Sequence, residues 1–197
     1  MSRRDIHFEQ GGYYHIFNRG VARHKIFYEE KNYIYLLKKV KTLIPRSDLT
    51  IIAYCLMPNH YHFLIRQDAE LPVSAFIQNL FNSYSKAVNK MYKRSGTLFE
   101  GKCRAKQVQE EAYLLHLCRY IHRNPVDAER PLVNDLKNWH YSNYLEWIGE
   151  RSGILVDERF VHEHFASAED YIHFVNDYES IKKLNEKCYD LLIDGRR

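Results

Sequence analysis

The stretch "LTIIAYCLMPNHYHFLIRQ", Leu49 to Gln67, sets two runs of apolar and β-branched residues on either side of Pro58-Asn59. Such runs flanking a turn signal read as a β-hairpin, strand 49–57 running into strand 60–67. Residues i and i+2 of a strand share a face, so His60 and His62 project side by side while Tyr61 points the other way. Neutral imidazoles at that spacing can hold one divalent cation, although an isolated His-x-His also occurs without one.

Outward from the hairpin, "YYHIFNRG" (13–20) alternates and ends in a glycine turn, which predicts a strand. Residues 29–45 place Tyr33, Leu36, Leu37, Val40 and Ile44 at helical spacing and stop at Pro45. After Pro72, a helix over 73–94 carries Phe76, Ile77, Leu80, Phe81 and Tyr84 on one face and ends at Ser95-Gly96. "TLFEGKCRAKQV" (97–108) reads as a strand and 110–124 as a helix stopped by Pro125. The first six elements predict an α+β fold: a ferredoxin-like split β-α-β arrangement with an antiparallel sheet, two helices on one face and a further helix after the last strand. Residues 1–137 form this domain, and 138–197 read as an acidic, irregular or helical C-terminal extension.

Composition limits what such a domain does. The chain has 197 residues, 45% hydrophobic and 27% charged, which is ordinary for a globular protein, but its 16 tyrosines and 11 histidines are many. Residues 1–149 carry 22 Lys/Arg against 14 Asp/Glu, and residues 150–197 carry 7 against 11. A basic, aromatic-rich body points to nucleic acid. The four cysteines stand far apart with no C-x-x-C pair, which argues against a zinc ribbon or a disulfide framework. "MSRRDIHFEQ" lacks an apolar signal region, and no window approaches the roughly 18 apolar residues of a spanning helix, so a cytoplasmic, nucleoid-associated protein is expected. No glycine-rich phosphate loop is present.

Two further segments carry chemistry. Tyr120 and Asn124 in "RYIHRNPV" lie one helical turn apart on one face, offering a hydroxyl and a carboxamide oxygen. Read alone, they fit equally a half-buried core aromatic and a helix stop before proline. Between Tyr84 and Lys106 stand Lys86, Lys90, Lys93, Arg94, Lys102, Arg104 and Lys106 against the single acid Glu100. Lys86, Lys90 and Lys93 share the helix side opposite the core aromatics. Tyr92 and Phe99 interleave with these charges as candidates for base stacking, and Arg19 can join the surface.

Taken together, "MPNHYHFLI" and "RYIHRNPV" resemble the signatures of the HUH single-tyrosine transposases and their REP-associated branch, the RAYT proteins. "GYYHIFNRG", "GTLFEGKCRAKQV" and "WHYSNY" resemble that branch at matching places, from about Tyr13 to Tyr144, and "ILVDERFVHEHF" resembles its tail more weakly. The resemblance implies a DNA strand-transfer enzyme acting on hairpin-containing DNA, with Tyr120 on the catalytic helix as nucleophile and His60, His62 and Asn124 holding Mg²⁺ or Mn²⁺. Tyr84 and His122 are further candidate ligands. Tyr61 replaces the smaller valine common between the histidines and, facing away from them, is expected to matter little. A non-catalytic, domesticated DNA-binding protein on the same fold is the alternative. Only Val108 to Glu111 separate the last strand from the catalytic helix, which favours a monomer with its site in cis over a homodimer.

Overall fold

The computed structural model describes residues 6–70, 72–153, 155 and 157–177; Cys188 lies outside them. The predicted element order is realised as β1 (Tyr13–Arg19), α1 (Glu30–Leu43), β2 (Leu49–Met57), β3 (His60–Gln67), α2 (Val73–Met91), β4 (Arg104–Val108) and α3 (Glu111–Asp127). The sheet order is β2-β3-β1-β4 and every neighbouring pair is antiparallel. This is the order of the split β-α-β fold, because β3 inserts between β1 and β2.

Alternation assigns the two faces of the sheet. Tyr14, Ile16, Tyr54, Leu56, Tyr61, Phe63 and Ile65 point to one side, where Tyr33, Leu36 and Val40 of α1 and Phe76, Leu80, Phe81 and Tyr84 of α2 complete a core. Ala53, Cys55 and Leu64 point to the other side and meet Leu114, Leu117, Cys118 and Ile121 of α3. Tyr61 is buried on the first side, stacked 3.9 Å from Phe81 at 11°, so the larger residue between the histidines is spent on the core.

Two boundaries differ from the sequence reading. Strand β4 begins only at Arg104, not at residue 97. Leu98 and Phe99 are buried as a strand's inward residues would be, but Gly101 takes φ +72° and breaks the extended run. Phe99 is buried against Tyr61 and Phe81, which corrects the expectation that its ring stacks bases, while the Tyr92 hydroxyl donates to Glu29 and Asn32 beside the Tyr28 ring. Helix α3 runs through Pro125 to Asp127, because a proline in the last turn removes a single donor and leaves only the Ile121 carbonyl without its helical partner.

The C-terminal segment is built into the second core. Helices α4 (Tyr144–Trp147), α5 (Glu158–His164) and α6 (Ala168–Asn176) contribute Tyr144, Trp147, Phe160, Val161, Tyr171 and Val175 to the cluster that α3 shares with the sheet. Arg119 of α3 donates to the Phe174 carbonyl, and Ser142 bridges to Cys55 at the free edge of β2.

Candidate active site

The apolar stripe Leu114, Leu117, Cys118 and Ile121 lays α3 across the sheet, and the adjoining face of the helix carries Tyr120 and Asn124 over β3 and β1. The Tyr120 ring stands edge-on to His62, centroids 5.4 Å apart at 81°, and His60 and His62 are 5.1 Å apart at 82°. The four residues singled out for chemistry are therefore gathered from two elements of one chain.

His60 is held between two amide oxygens. Its Nδ1 is 2.7 Å from Asn59 Oδ1 and its Nε2 is 3.2 Å from Asn124 Oδ1. Both amides are oriented by their own donors, Asn59 Nδ2 to the Arg23 carbonyl and Asn124 Nδ2 to the Tyr120 carbonyl. A neutral imidazole has one proton for these two acceptors, and the shorter contact assigns it to Nδ1. A second proton is opposed by burial, which lowers the pKa of His60, against the smaller upward pull of Asn124. The Nε2 lone pair therefore faces an oxygen lone pair, an arrangement that a shared cation makes favourable. Two imidazole nitrogens and a carboxamide oxygen are donors of the type Mg²⁺ or Mn²⁺ accepts, so the residues present fit the implied ion. Among the described residues no group of three or more His, Cys, Asp or Glu forms a metal site, so the set rests on the Asn124 amide as third donor.

Two neighbours of this set went unread in the sequence. Asn59 reads in the sequence only as a turn residue. His15, in mid-β1, lies with Nε2 2.9 Å from His62 Nδ1; burial, and then the charge of Lys106, push its pKa down to about 3. Burial also holds His62 well below the ordinary histidine value, helped by His60 and His15. The sequence signal for His15 is a titratable residue amid the apolar run of Tyr13 to Phe17. Tyr84 and His122 do not join the site. Tyr84 donates to the Ile26 carbonyl in the opposite core, and His122 is bound between Tyr171 and Asn143.

The basic residues divide between the faces. Arg104 and Lys106 pair with Phe17 and His15 of β1 and so share the histidine face, with Lys106 Nζ 5.7 Å over the Phe17 ring. Arg19 is on the same face but grips Glu100, Nε to Oε2 at 2.5 Å and Nη2 to Oε1 at 3.0 Å. Lys86, Lys90, Lys93 and Arg94 belong to α2 and its C-terminal end, across the sheet from Tyr120, and Arg94 turns over the Tyr28 ring. A cleft of about 960 Å³ between α2 and β4, lined by Gln78, Asn82 and Lys102, opens on that side. Its lining includes none of His60, His62, Tyr120 and Asn124.

Known proteins agree with this architecture. No curated protein matches the chain significantly. A solved REP-associated tyrosine transposase bound to a REP hairpin is 15% identical, superposes with a TM-score of 0.64, and is matched over 80% of this chain and 94% of its own. A Deinococcus radiodurans chain assigned to the transposases is 16% identical at a TM-score of 0.41, over 58% of this chain and 89% of its own. The first likeness supports the fold drawn above. The IS200-like transposase family matches residues 9–124, which takes in the His60 and His62 strand, Tyr120 and Asn124 and more than half of the sequence; the chain belongs to that family.

Proposed function

We propose that this chain is a tyrosine transposase of the REP-associated kind, which cuts and rejoins single-stranded DNA next to a hairpin through a covalent bond to Tyr120. The observation that carries the reading is the 3.2 Å approach of His60 Nε2 to Asn124 Oδ1, on the helix face that also presents Tyr120.

Tyr120 Oη gives up its proton and attacks the scissile phosphorus. The Oη–P bond forms as the P–O3′ bond breaks, leaving a 5′-phosphotyrosine and a 3′-oxygen that takes up a proton. Rejoining is the reverse step, in which the 3′-hydroxyl of another strand attacks the phosphotyrosine and Tyr120 leaves with its proton restored. Bond energy is conserved, so neither water nor a nucleotide is consumed. Bound by His60, His62 and Asn124, Mg²⁺ or Mn²⁺ supplies Lewis-acid charge beside the phosphate and the phenolate.

Arg104 and Lys106 hold the cleaved strand on the histidine face, with Arg19 at its end once Glu100 yields it. Lys86, Lys90, Lys93, Arg94 and Lys102 serve the hairpin on the α2 side, where they cluster apart from the Tyr120 site. One chain supplies both tyrosine and histidines, so the active unit is a monomer, working on DNA in the cytoplasm at the nucleoid. Among the described residues no helix is long and apolar enough to cross a membrane.

The test is cleavage of labelled single-stranded DNA from the repeats flanking the chain's own gene, with Mn²⁺ and with chelator. Metal-dependent cutting beside a hairpin supports the reading. Binding without cutting under every metal condition supports the non-catalytic alternative.

A further inference from the structure

His15 is a buried polar group to which the reaction above gives no task. It sits mid-strand in β1 at 1% exposure, its ring 4.6 Å from Phe17 and 5.2 Å from His62, the latter at 21°. Its Nε2 meets His62 Nδ1 at 2.9 Å, while its Nδ1 is buried with no hydrogen-bond partner. An orphaned polar atom costs about 1–3 kcal/mol, so histidine is a poor choice for filling this space, where phenylalanine or leucine would carry no such penalty. The side chain makes sense if His62 needs a nitrogen beside it.

An imidazole that offers its Nε2 lone pair to a cation must carry its proton on Nδ1 and needs an acceptor there. We propose that His15 is a positioning residue for cation binding: its Nε2 accepts the His62 Nδ1 proton and so holds the His62 Nε2 lone pair toward the metal site. The inference rests on the metal-binding reading of His60, His62 and Asn124. The opposite arrangement, with His15 donating to His62 Nδ1, would leave the single His62 ring proton on Nε2 and turn a donor toward the cation.

The strand register supports the assignment. Phe17 is the partner of His62 and Leu64 of His15, so His15 meets His62 on the diagonal of one face. A slip of one residue would send His15 into the core beneath α1 and α2. His60 has a counterpart at its own Nδ1, the Asn59 Oδ1 at 2.7 Å. Each ligand histidine thus has a partner of its own, a turn amide for His60 and a ring from the neighbouring strand for His62.

The test measures Mn²⁺ affinity by electron paramagnetic resonance on the full chain and on His15→Phe, His15→Gln and His60→Ala. Phenylalanine keeps the ring and its contact with Phe17 but removes the acceptor, whereas glutamine returns one. His15→Phe should weaken Mn²⁺ binding roughly 10–100-fold, with single-strand DNA affinity in chelator and melting temperature close to wild type, and His15→Gln should recover most of the loss. Should His15→Phe fail to fold, His15→Leu takes its place against the same glutamine control. Wild-type Mn²⁺ affinity in His15→Phe, or glutamine no better than phenylalanine, overturns the proposal while the metal reading stands. Wild-type protein that binds Mn²⁺ no better than His60→Ala defeats the metal reading, and the role of His15 falls with it.

Discussion

His60 Nε2 and Asn124 Oδ1 approach to 3.2 Å, and the Tyr120 carbonyl fixes the Asn124 amide; with the His60 proton on Nδ1 toward Asn59, the contact sets two lone pairs face to face. Like lone pairs held together at that distance in a partly buried site form a ready position for a cation. The contact brings Asn124 of α3 against the histidine strand, on the same side as the Tyr120 ring over His62.

Removing the ion or any of its ligands should therefore stop chemistry and spare binding. Excess chelator, His60→Ala, His62→Ala and Asn124→Ala are each expected to abolish cleavage while DNA affinity stays within about twofold, since phosphate contacts elsewhere supply the affinity. Cleavage assays paired with filter binding check this. Undiminished cleavage in chelator would contradict the metal role.

The division of basic residues predicts different phenotypes on the two faces. Lys106→Ala should weaken binding of a short single strand and lower the slope of log affinity against log salt by about 0.7, the value for one phosphate contact. Lys86→Ala should leave that substrate unaffected and weaken only a substrate carrying the hairpin stem. Salt titrations on both substrates decide it, and equal losses for both variants on the single strand would contradict the assignment.

Much of this was legible in the sequence because its signals are local. The two apolar, β-branched runs of 49–67 on either side of Pro58-Asn59 pointed to the hairpin, strand geometry put His60 and His62 on one face, and the spacing of Tyr120 and Asn124 put them on one helix face. The extent of β4 differs from the sequence reading because the apolar pair Leu98-Phe99 fits a strand, while the chain there turns at Gly101 and bridges only between Gly20 and Phe99 among the described residues. The same burial hid the fact that Phe99 is core and not a stacking platform. The partnership of His15 with His62 spans 47 residues of sequence and depends on strand register, which no local pattern encodes. Acidic composition likewise concealed that Phe160, Val161, Tyr171 and Val175 pack beneath the tyrosine helix.

That packing carries a pH dependence. His122 is fully buried, accepts from the Tyr171 hydroxyl at 2.5 Å and donates to Asn143 Oδ1 at 2.9 Å, and burial pushes its pKa down to about 4. In the unfolded chain the ring protonates near its ordinary value of 6.5, so between these values the unfolded state binds the extra proton and gains. The contribution is whole above about pH 6.5 and is lost as pH falls toward about 4, by roughly 3 kcal/mol at most. Denaturant unfolding at about pH 7 and about pH 5 should show the drop, and His122→Gln should reduce it by its own share, the rest being carried by His15, His60, His62 and His116, whose values are lowered too. A wild-type stability that rises on acidification would contradict this account.

Helix α3 lies on its own sheet, with two residues between β4 and its first turn, so the site assembles in cis. Mixing Tyr120→Phe with His60→Ala protein should restore no cleavage, and light scattering should give the mass of one chain. Recovered activity in the mixture would mean sites composed from two chains and would refute the monomer.

The most direct test of the central claim is mass spectrometry of the covalent protein–DNA product formed with Mn²⁺. The account predicts nucleotides linked through a 5′-phosphate to the peptide containing Tyr120, and none in Tyr120→Phe, which removes one hydroxyl and leaves the fold and DNA affinity intact. An adduct on any other side chain, or one of undiminished yield in Tyr120→Phe, would contradict it.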